Sequence, residues 1–127
     1  MTDRTQIVPP HMGDKVLPNL PFFHNLIRYA QRKPSPIVVR DVDASIDRTY
    51  HHLLSDVLTF RMALEKELSS KVQQDLIQDK EVYIGLLAPG SYEFTVGLVA
   101  ILATGAAVVP LGKLFNFESV LSILFVV

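Results

Sequence analysis

The sequence contains no cysteine and no tryptophan among its 127 residues. Without cysteine, the chain can form no disulfide, no thiolate nucleophile and no cysteine-based zinc site. This absence is typical of proteins that work in a reducing compartment. We therefore expect a cytoplasmic or organellar location, with the peroxisome and the mitochondrion both open.

The sequence also lacks an excess of charge of either sign. Lys and Arg number 12, Asp and Glu number 13, and the formal net charge is -1. Nucleic-acid-binding domains usually carry a clear basic excess, so we expect no nucleic-acid partner. Residues 1–16 include the pair Pro9 and Pro10 but no apolar segment of the kind found in signal peptides, and we interpret them as a disordered leader without a secretory signal.

Two segments have apolar residues at helical spacing. The first helix is predicted over residues 21–32, with Pro21 in its first turn and Pro34 ending it. The second is predicted to start at Thr49, whose side chain can cap it. Its apolar stripe consists of Leu53, Val57, Phe60, Leu64 and Leu68. A stripe shorter than three heptads favours core packing over a dimer seam.

Short extended segments lie between and after these helices. Residues 37–40 and 46–50 are rich in β-branched residues and predict a small hairpin. Residues 69–80, SSKVQQDLIQDK, are mostly polar, and we interpret them as a loop or a frayed extension of the second helix.

Residues 82–111 have the pattern of a strand, a helix and a second strand. The apolar run 82–87 is typical of a strand covered on both faces. Ser91 can cap the helix, Gly105 can end it, and residues 106–110 form the next apolar run. Tight connections of this kind predict a βαβ unit with parallel strands.

The stretch from Phe94 to Gly112 has no charged residue, and a membrane anchor through residues 94–112 is one alternative. Gly105 and Pro110 interrupt it, however. A helix that ends at Gly105 is about 14 residues or roughly 20 Å long, which is short for a hydrocarbon core of about 30 Å. We therefore do not expect a membrane partner, and a small α/β interaction module is the other alternative.

Three stretches resemble a known family. DRTYHHLLSDV resembles a "TY-x-E-L" element, VYIGLLAPGSYEF a strand with a "P-N-S-x-E-F" turn, and VGLVAILATGAAVVPL an "A-x-L-x-x-G-A-x-x-x-P-L" segment. These elements belong to the N-terminal region of the adenylate-forming, AMP-binding acyl-CoA synthetases. The resemblance covers about residues 17–111. It implies an α/β fold, namely a partial N-terminal subdomain of the adenylate-forming ligase fold.

The family resemblance implies a two-step reaction for the full-length proteins. A fatty or other carboxylic acid attacks ATP, pyrophosphate leaves, and CoA then displaces AMP from the acyl adenylate. ATP, Mg²⁺ and CoA are the implied cofactors, and the family residues that hold them lie downstream of the matched region. We therefore assign no catalytic, cofactor-binding or metal-binding residue, and we expect this chain to be a truncated protein without activity of its own.

Residues 112–127, GKLFNFESVLSILFVV, depart from the family pattern and form a divergent apolar tail. One hypothesis is a retained intron, because Gly112 and Lys113 can be encoded by GGTAAG, which contains a splice-donor sequence. The chain as a whole should expose more apolar surface than a soluble monomer usually does, and we expect it to aggregate.

Several residues suggest sites, each with a simpler explanation. Gly90 and Ser91 precede a helix and could hold an anion, but without a Gly-rich motif a turn with an N-cap is the better interpretation. Lys113 could bind phosphate, although it lies in the divergent tail.

Two polar pairs suggest metal ligands. His51 and His52 are adjacent on a helix and point about 100° apart, so they do not converge on one ion. Asp41 and Asp43 lack the longer Gly-containing loop of a Ca²⁺ site, and a turn explains them.

Overall fold

The computed structural model describes residues 17–88 and 90–111 in full, and the backbone of residues 123–126. The helices and strands within these residues are α1 (Pro21–Ala30), β1 (Ile37–Asp41), β2 (Ile46–Thr49), α2 (Tyr50–Glu67), α3 (Ser70–Ile77), β3 (Tyr83–Leu87), α4 (Tyr92–Ala103), β4 (Ala107–Pro110) and β5 (Ile123–Val126). The predicted leader, most of the predicted tail and Lys113 lie outside this part, and the domain boundaries stay predictions.

Strands β1 and β2 form the predicted antiparallel hairpin. Ile37 pairs with Thr49 and Asp41 pairs with Ile46, with a shift in register between Ile37 and Val39. The carboxylate of Asp41 accepts a hydrogen bond from the backbone N–H of Ala44 at 3.0 Å. Asp41 therefore stabilises the turn of the hairpin.

The second sheet has the strand order β4-β3-β5. Strands β3 and β4 are parallel, with Ile84 opposite Val108, and α4 connects them. The predicted βαβ unit with parallel strands is thus confirmed, and the fold is mixed α/β. Strand β5 pairs antiparallel with the other edge of β3, and the sequence analysis did not predict this strand.

Both caps of the α2–α3 region come from hydroxyl side chains. The predicted cap at Thr49 is confirmed, since its Oγ1 accepts from the N–H of His52 at 3.2 Å. The Nδ1 of His52 accepts in return from the N–H of Thr49 at 3.1 Å. Ser69 caps α3 by accepting from the N–H of Val72 at 3.3 Å.

The prediction of a loop or frayed extension over residues 69–80 is wrong. Leu68 leaves the helical conformation with φ -71 and ψ 140, and Ser69 then starts a separate helix. Val72 and Leu76, four residues apart on α3, pack against the buried cluster that contains Leu64, Ile84 and Ile101. Two apolar contacts and an N-cap therefore stabilise a helix in a segment whose composition is mostly polar.

Helix α4 starts at the predicted residue but without the predicted side-chain cap. Ser91 is the N-cap residue, yet its hydroxyl donates to the carboxylate of Glu93. After α4, Gly105 has φ 93, a left-handed conformation that favours glycine, and ends the helix as predicted. In the part of the chain that the structure describes, no helix has the length and apolar character to cross a membrane.

Helix α4 lies between two apolar layers. On one side, Val96, Val99, Ala100 and Ala103 pack with buried side chains of α1 and α2. On the other, Ile101 packs with a cluster that consists of Leu64, Leu68, Val82, Ile84, Leu86 and Ala106. The apolar character of residues 91–103 on nearly every face predicts a sheet on one side of this helix and polypeptide missing from this chain on the other. The second part of this prediction is wrong, because α2, itself packed against α1, covers that side.

The strand β3 differs in part from its prediction. Ile84, Gly85, Leu86 and Leu87 are buried, but Tyr83 is 43% exposed. Ile84 and Leu86 belong to the cluster beneath α4, whereas Tyr83 lies on the opposite face of the sheet. The strand β3 is therefore buried on both faces from Ile84 to Leu87 but not at Tyr83.

The close approach of α4 to β3 gives a testable prediction. A Cβ atom added at Gly97 would lie 2.9 Å from Cδ1 of Leu86. We expect Gly97→Val to lower the free energy of unfolding by about 1–3 kcal/mol, because a well-packed contact accepts no added branched side chain. Denaturant titration followed by circular dichroism measures this.

Gly90→Val is the matched control, because a Cβ atom at Gly90 meets nothing within 4 Å. An equal loss of stability in the two variants would show that the α4–β3 contact is not the cause.

Candidate functional site

A cleft of about 440 Å³ lies where β2, α2 and the first turn of α4 meet. Its lining residues are Arg48, Asp56, Thr59, Phe60, Ala63, Tyr92, Glu93 and Val96. Three of them carry charges, and Phe60, Ala63 and Val96 provide an apolar portion. An opening of this composition can accept a side chain or small molecule that has both an apolar and a polar part.

Tyr92 connects the elements around the cleft. Its hydroxyl donates a hydrogen bond to the carboxylate of Asp56, which joins α4 to α2. The guanidinium carbon of Arg48 lies 5.4 Å from the centre of the Tyr92 ring, which joins β2 to α4. The cleft is therefore held by side chains from three separate elements.

Arg48 has unused hydrogen-bonding capacity in this arrangement. Its Nε atom is buried and has no hydrogen-bond partner within the described ranges. A buried donor without an acceptor costs free energy. Arg48 is thus the lining residue of the cleft that carries this cost.

The two ionisable groups of α4 in the cleft have opposite pKa shifts. Burial raises the pKa of Tyr92 well above its ordinary value, and the hydrogen bond to Asp56 raises it further. The hydrogen bond from Ser91 lowers the pKa of Glu93, and a backbone hydrogen bond adds to this. At neutral pH, Tyr92 is therefore a neutral donor and Glu93 a carboxylate.

The Gly90–Ser91 turn does not have the geometry of a phosphate site. The carboxylate of Glu93 lies in the first turn of α4, where the helix dipole favours a negative charge. The hydroxyl of Ser91 donates to this carboxylate. A second anion at the same helix end would be repelled, so a turn followed by an N-cap residue is the interpretation that the geometry favours.

The histidine and aspartate pairs also have structural partners. His52 belongs to the cap of α2, and the backbone N–H of His51 donates to Ser35 Oγ at 3.1 Å. Asp41 accepts in the hairpin turn, and Asp43 is exposed nearby. Where side chains are described, no three His, Asp or Glu residues come together in a way that could hold a metal ion.

The apolar stripe of α2 packs inside the chain. Leu53, Val57, Leu64 and Leu68 are buried in the two clusters beside α4, and Phe60 is half-buried against both. The interpretation as core packing rather than a dimer seam is confirmed.

Sequence reasoning missed the cleft. Arg48, Asp56 and Tyr92 belong to no motif, and the hydrogen bond from Tyr92 to Asp56 joins positions 36 residues apart. The one available signal was the presence of two opposite charges, Arg48 and Asp56, eight residues apart. Such a pair does not by itself indicate a site.

The contact between Tyr92 and Asp56 can be tested by Tyr92→Phe. We expect a loss of about 0.5–1.5 kcal/mol in the free energy of unfolding at neutral pH, because the variant removes one hydrogen bond. Tyr83→Phe is the matched control, since it removes a hydroxyl that donates to Glu81 at an exposed position, and it should cost less.

The raised pKa of Tyr92 also predicts a dependence on pH. The stabilisation from its protonated form is complete below its ordinary value of 10.0 and is lost as the pH rises toward the higher value in the folded protein. Tyr92→Phe should flatten the alkaline limb of a plot of unfolding free energy against pH. An unchanged alkaline limb would contradict the assignment of a buried, hydrogen-bonded hydroxyl.

Comparison with known proteins gives one informative similarity. The chain is 36% identical over 99 residues to the acyl-CoA ligase oryP of Aspergillus oryzae (strain ATCC 42149 / RIB 40), a match that covers 78% of this chain and 17% of the ligase. No protein-family model matches the chain, and no solved structure matches it. Over most of its length, the chain is therefore similar to a small part of an acyl-CoA ligase.

Proposed function

We propose that the chain is a truncated adenylate-forming ligase of the acyl-CoA synthetase family, with the fold of one subdomain and without ligase activity of its own. The observation that carries this proposal is the 36% identity over 99 residues to an acyl-CoA ligase. Since the match covers 17% of that ligase, the activity of a whole ligase is proposed for the longer protein and not for this chain.

The fold supports the proposal because the three stretches that resemble the ligase family contain residues at which helices and strands begin or end. Thr49 and Tyr50 end β2 and start α2, Ser91 starts α4, and Gly105 ends it. A chain related to the ligases would keep residues of these types, since each one fixes where a helix begins or ends.

We propose that the described residues do not hold ATP and Mg²⁺. In support of this, the first turn of α4, after the Gly90–Ser91 turn, already holds the carboxylate of Glu93, whose pKa is lowered. In the described part, no cluster of three potential metal ligands is present, and the Asp41 carboxylate takes part in a turn. We therefore propose that Glu93 and Asp41 stabilise the fold and do not bind a cofactor.

We propose the family reaction for the longer ligase alone. Its substrates would be a fatty or other carboxylic acid, ATP and CoA, and its products an acyl-CoA, AMP and pyrophosphate. The residues that perform this chemistry would belong to polypeptide other than the matched region. The cofactor set and the organelle stay predictions.

A segment exchange tests the proposal. The 99 matched residues of this chain would replace their counterpart in the Aspergillus oryzae ligase, and acid-dependent pyrophosphate release would be measured with ATP, Mg²⁺ and CoA. We expect the chimera to release pyrophosphate, because the exchanged segment supplies packing rather than catalytic groups. The 127-residue chain alone should release none with any acid of a panel.

The same chimera with Gly97→Val is the matched control and should lose activity together with folded protein. Pyrophosphate release by the chain alone would overturn the proposal of a truncated ligase. A chimera that is folded and soluble but inactive would contradict the proposal that the matched segment has the same structural role in both proteins.

A further inference from the structure

Charge is unevenly distributed along the chain. Between residues 17 and 36, the charged residues are Arg28, Arg32 and Lys33, with no Asp or Glu. From residue 37 to residue 111, acidic residues outnumber basic ones by ten to six. Helix α1 and the loop after it therefore form a basic region on a protein that is otherwise acidic.

The two arginines of this region are held by one aromatic ring. The guanidinium carbon of Arg32 lies 4.6 Å from the centre of the Tyr29 ring, and that of Arg28 lies 5.3 Å from it. The Tyr29 ring in turn stacks on the Tyr50 ring, with centres 5.1 Å apart. Stacking positions both guanidinium groups without neutralising their charge.

Within the described residues, neither Arg28 nor Arg32 forms an ion pair with a carboxylate. The ion pairs there join Arg40 to Asp47 and Lys80 to Asp75. Arg28, Arg32 and Lys33 are all exposed. Their charge is therefore accessible to an external anion.

Exposed apolar side chains lie on the same helix and just before it. Leu20 and Phe22 are each 51% exposed. Phe22 precedes Tyr29 by seven residues, which places the two on the same side of a helix. We call Leu20, Phe22, Arg28, Tyr29, Arg32 and Lys33 the α1 patch.

We propose that the α1 patch binds the anionic surface of a lipid bilayer. Basic residues are attracted to a negatively charged leaflet, and exposed Leu and Phe side chains can enter the boundary between headgroups and acyl chains. The combination favours a bilayer over nucleic acid or an acidic peptide, because the acyl-chain boundary accepts both Leu20 and Phe22, whereas a base can stack on Phe22 but not on the aliphatic Leu20. This proposal departs from the expectation of no membrane partner, which was argued from residues 94–112 as a possible span. It requires no membrane-spanning helix and does not depend on the proposed ligase relationship.

Vesicle flotation of the 127-residue chain tests the proposal, because floating vesicles separate bound protein from aggregates. The vesicles would contain phosphatidylcholine alone or equal parts of phosphatidylcholine and phosphatidylserine. We expect binding to the anionic vesicles alone, with loss of binding at high salt because exposed charges are screened. Each basic residue contributes about a fivefold gain in partitioning, so Arg28→Gln with Arg32→Gln should weaken binding by roughly 25-fold.

Matched variants separate the patch from general charge and hydrophobicity. Lys66→Gln with Lys71→Gln makes the same change of charge at exposed positions of α2 and α3, and it should leave binding within about twofold of the original protein. Phe22→Ser should weaken binding, whereas Val42→Ser, at a position that is 79% exposed outside the patch, should not.

Circular dichroism would establish that each variant is folded before binding is compared. Absence of binding to anionic vesicles would overturn the proposal. Equal losses from the two double variants, or no effect of Phe22→Ser, would also overturn it. Tighter binding to a single-stranded oligonucleotide than to the vesicles, with the same dependence on Arg28 and Arg32, would identify the patch as a nucleic-acid site instead.

Discussion

The burial of α4 on two sides is the constraint on which the rest of the structure depends. Its inner positions are Val96, Gly97, Val99, Ala100, Ile101 and Ala103, none of which has a polar side chain. The small residues among them let α2 approach one side and β3 approach the other. Since the helix can bury both faces within the described chain, its apolar composition needs neither lipid nor further polypeptide as an explanation.

This constraint explains which parts of the fold could be predicted. Apolar periodicity identified α1 and α2, and short apolar runs identified β3 and β4, because these elements contribute most of the side chains around α4. Thr49 and Gly105 were predictable because the backbone at a helix end requires a particular residue type. In each case, the signal lay within a few neighbouring residues.

The failures share a different cause, which is dependence on distant partners. Helix α3 has mainly polar residues, and its order depends on packing of Val72 and Leu76 against a buried cluster formed by residues distant in the sequence. Ser91 is at the predicted N-cap, but Glu93 competes for its hydroxyl. The strand β5 joins β3 across more than thirty residues, in a segment whose composition indicated only an apolar tail.

The candidate cleft could not be predicted from the sequence for the same reason. It forms because α2 and α4 pack side by side and the hairpin ends against them, so that Arg48, Asp56 and Tyr92 meet. Each residue alone is typical of a surface helix or strand. A pattern in the sequence identifies such a site only when the chemistry requires a fixed local spacing, as a phosphate-binding loop does.

The similarity to an acyl-CoA ligase and the α1 patch have separate physical origins. Several residues of the resembling stretches, among them Leu53, Ala100 and Gly105, are buried or lie at element junctions, where the fold restricts the choice of side chain. The exposed side chains of Leu20, Phe22, Arg28 and Arg32 contribute little to the core, and the fold would tolerate other residues there. Because their combination of positive charge and apolar surface is not required for folding, substitutions there change a surface property while the core stays intact.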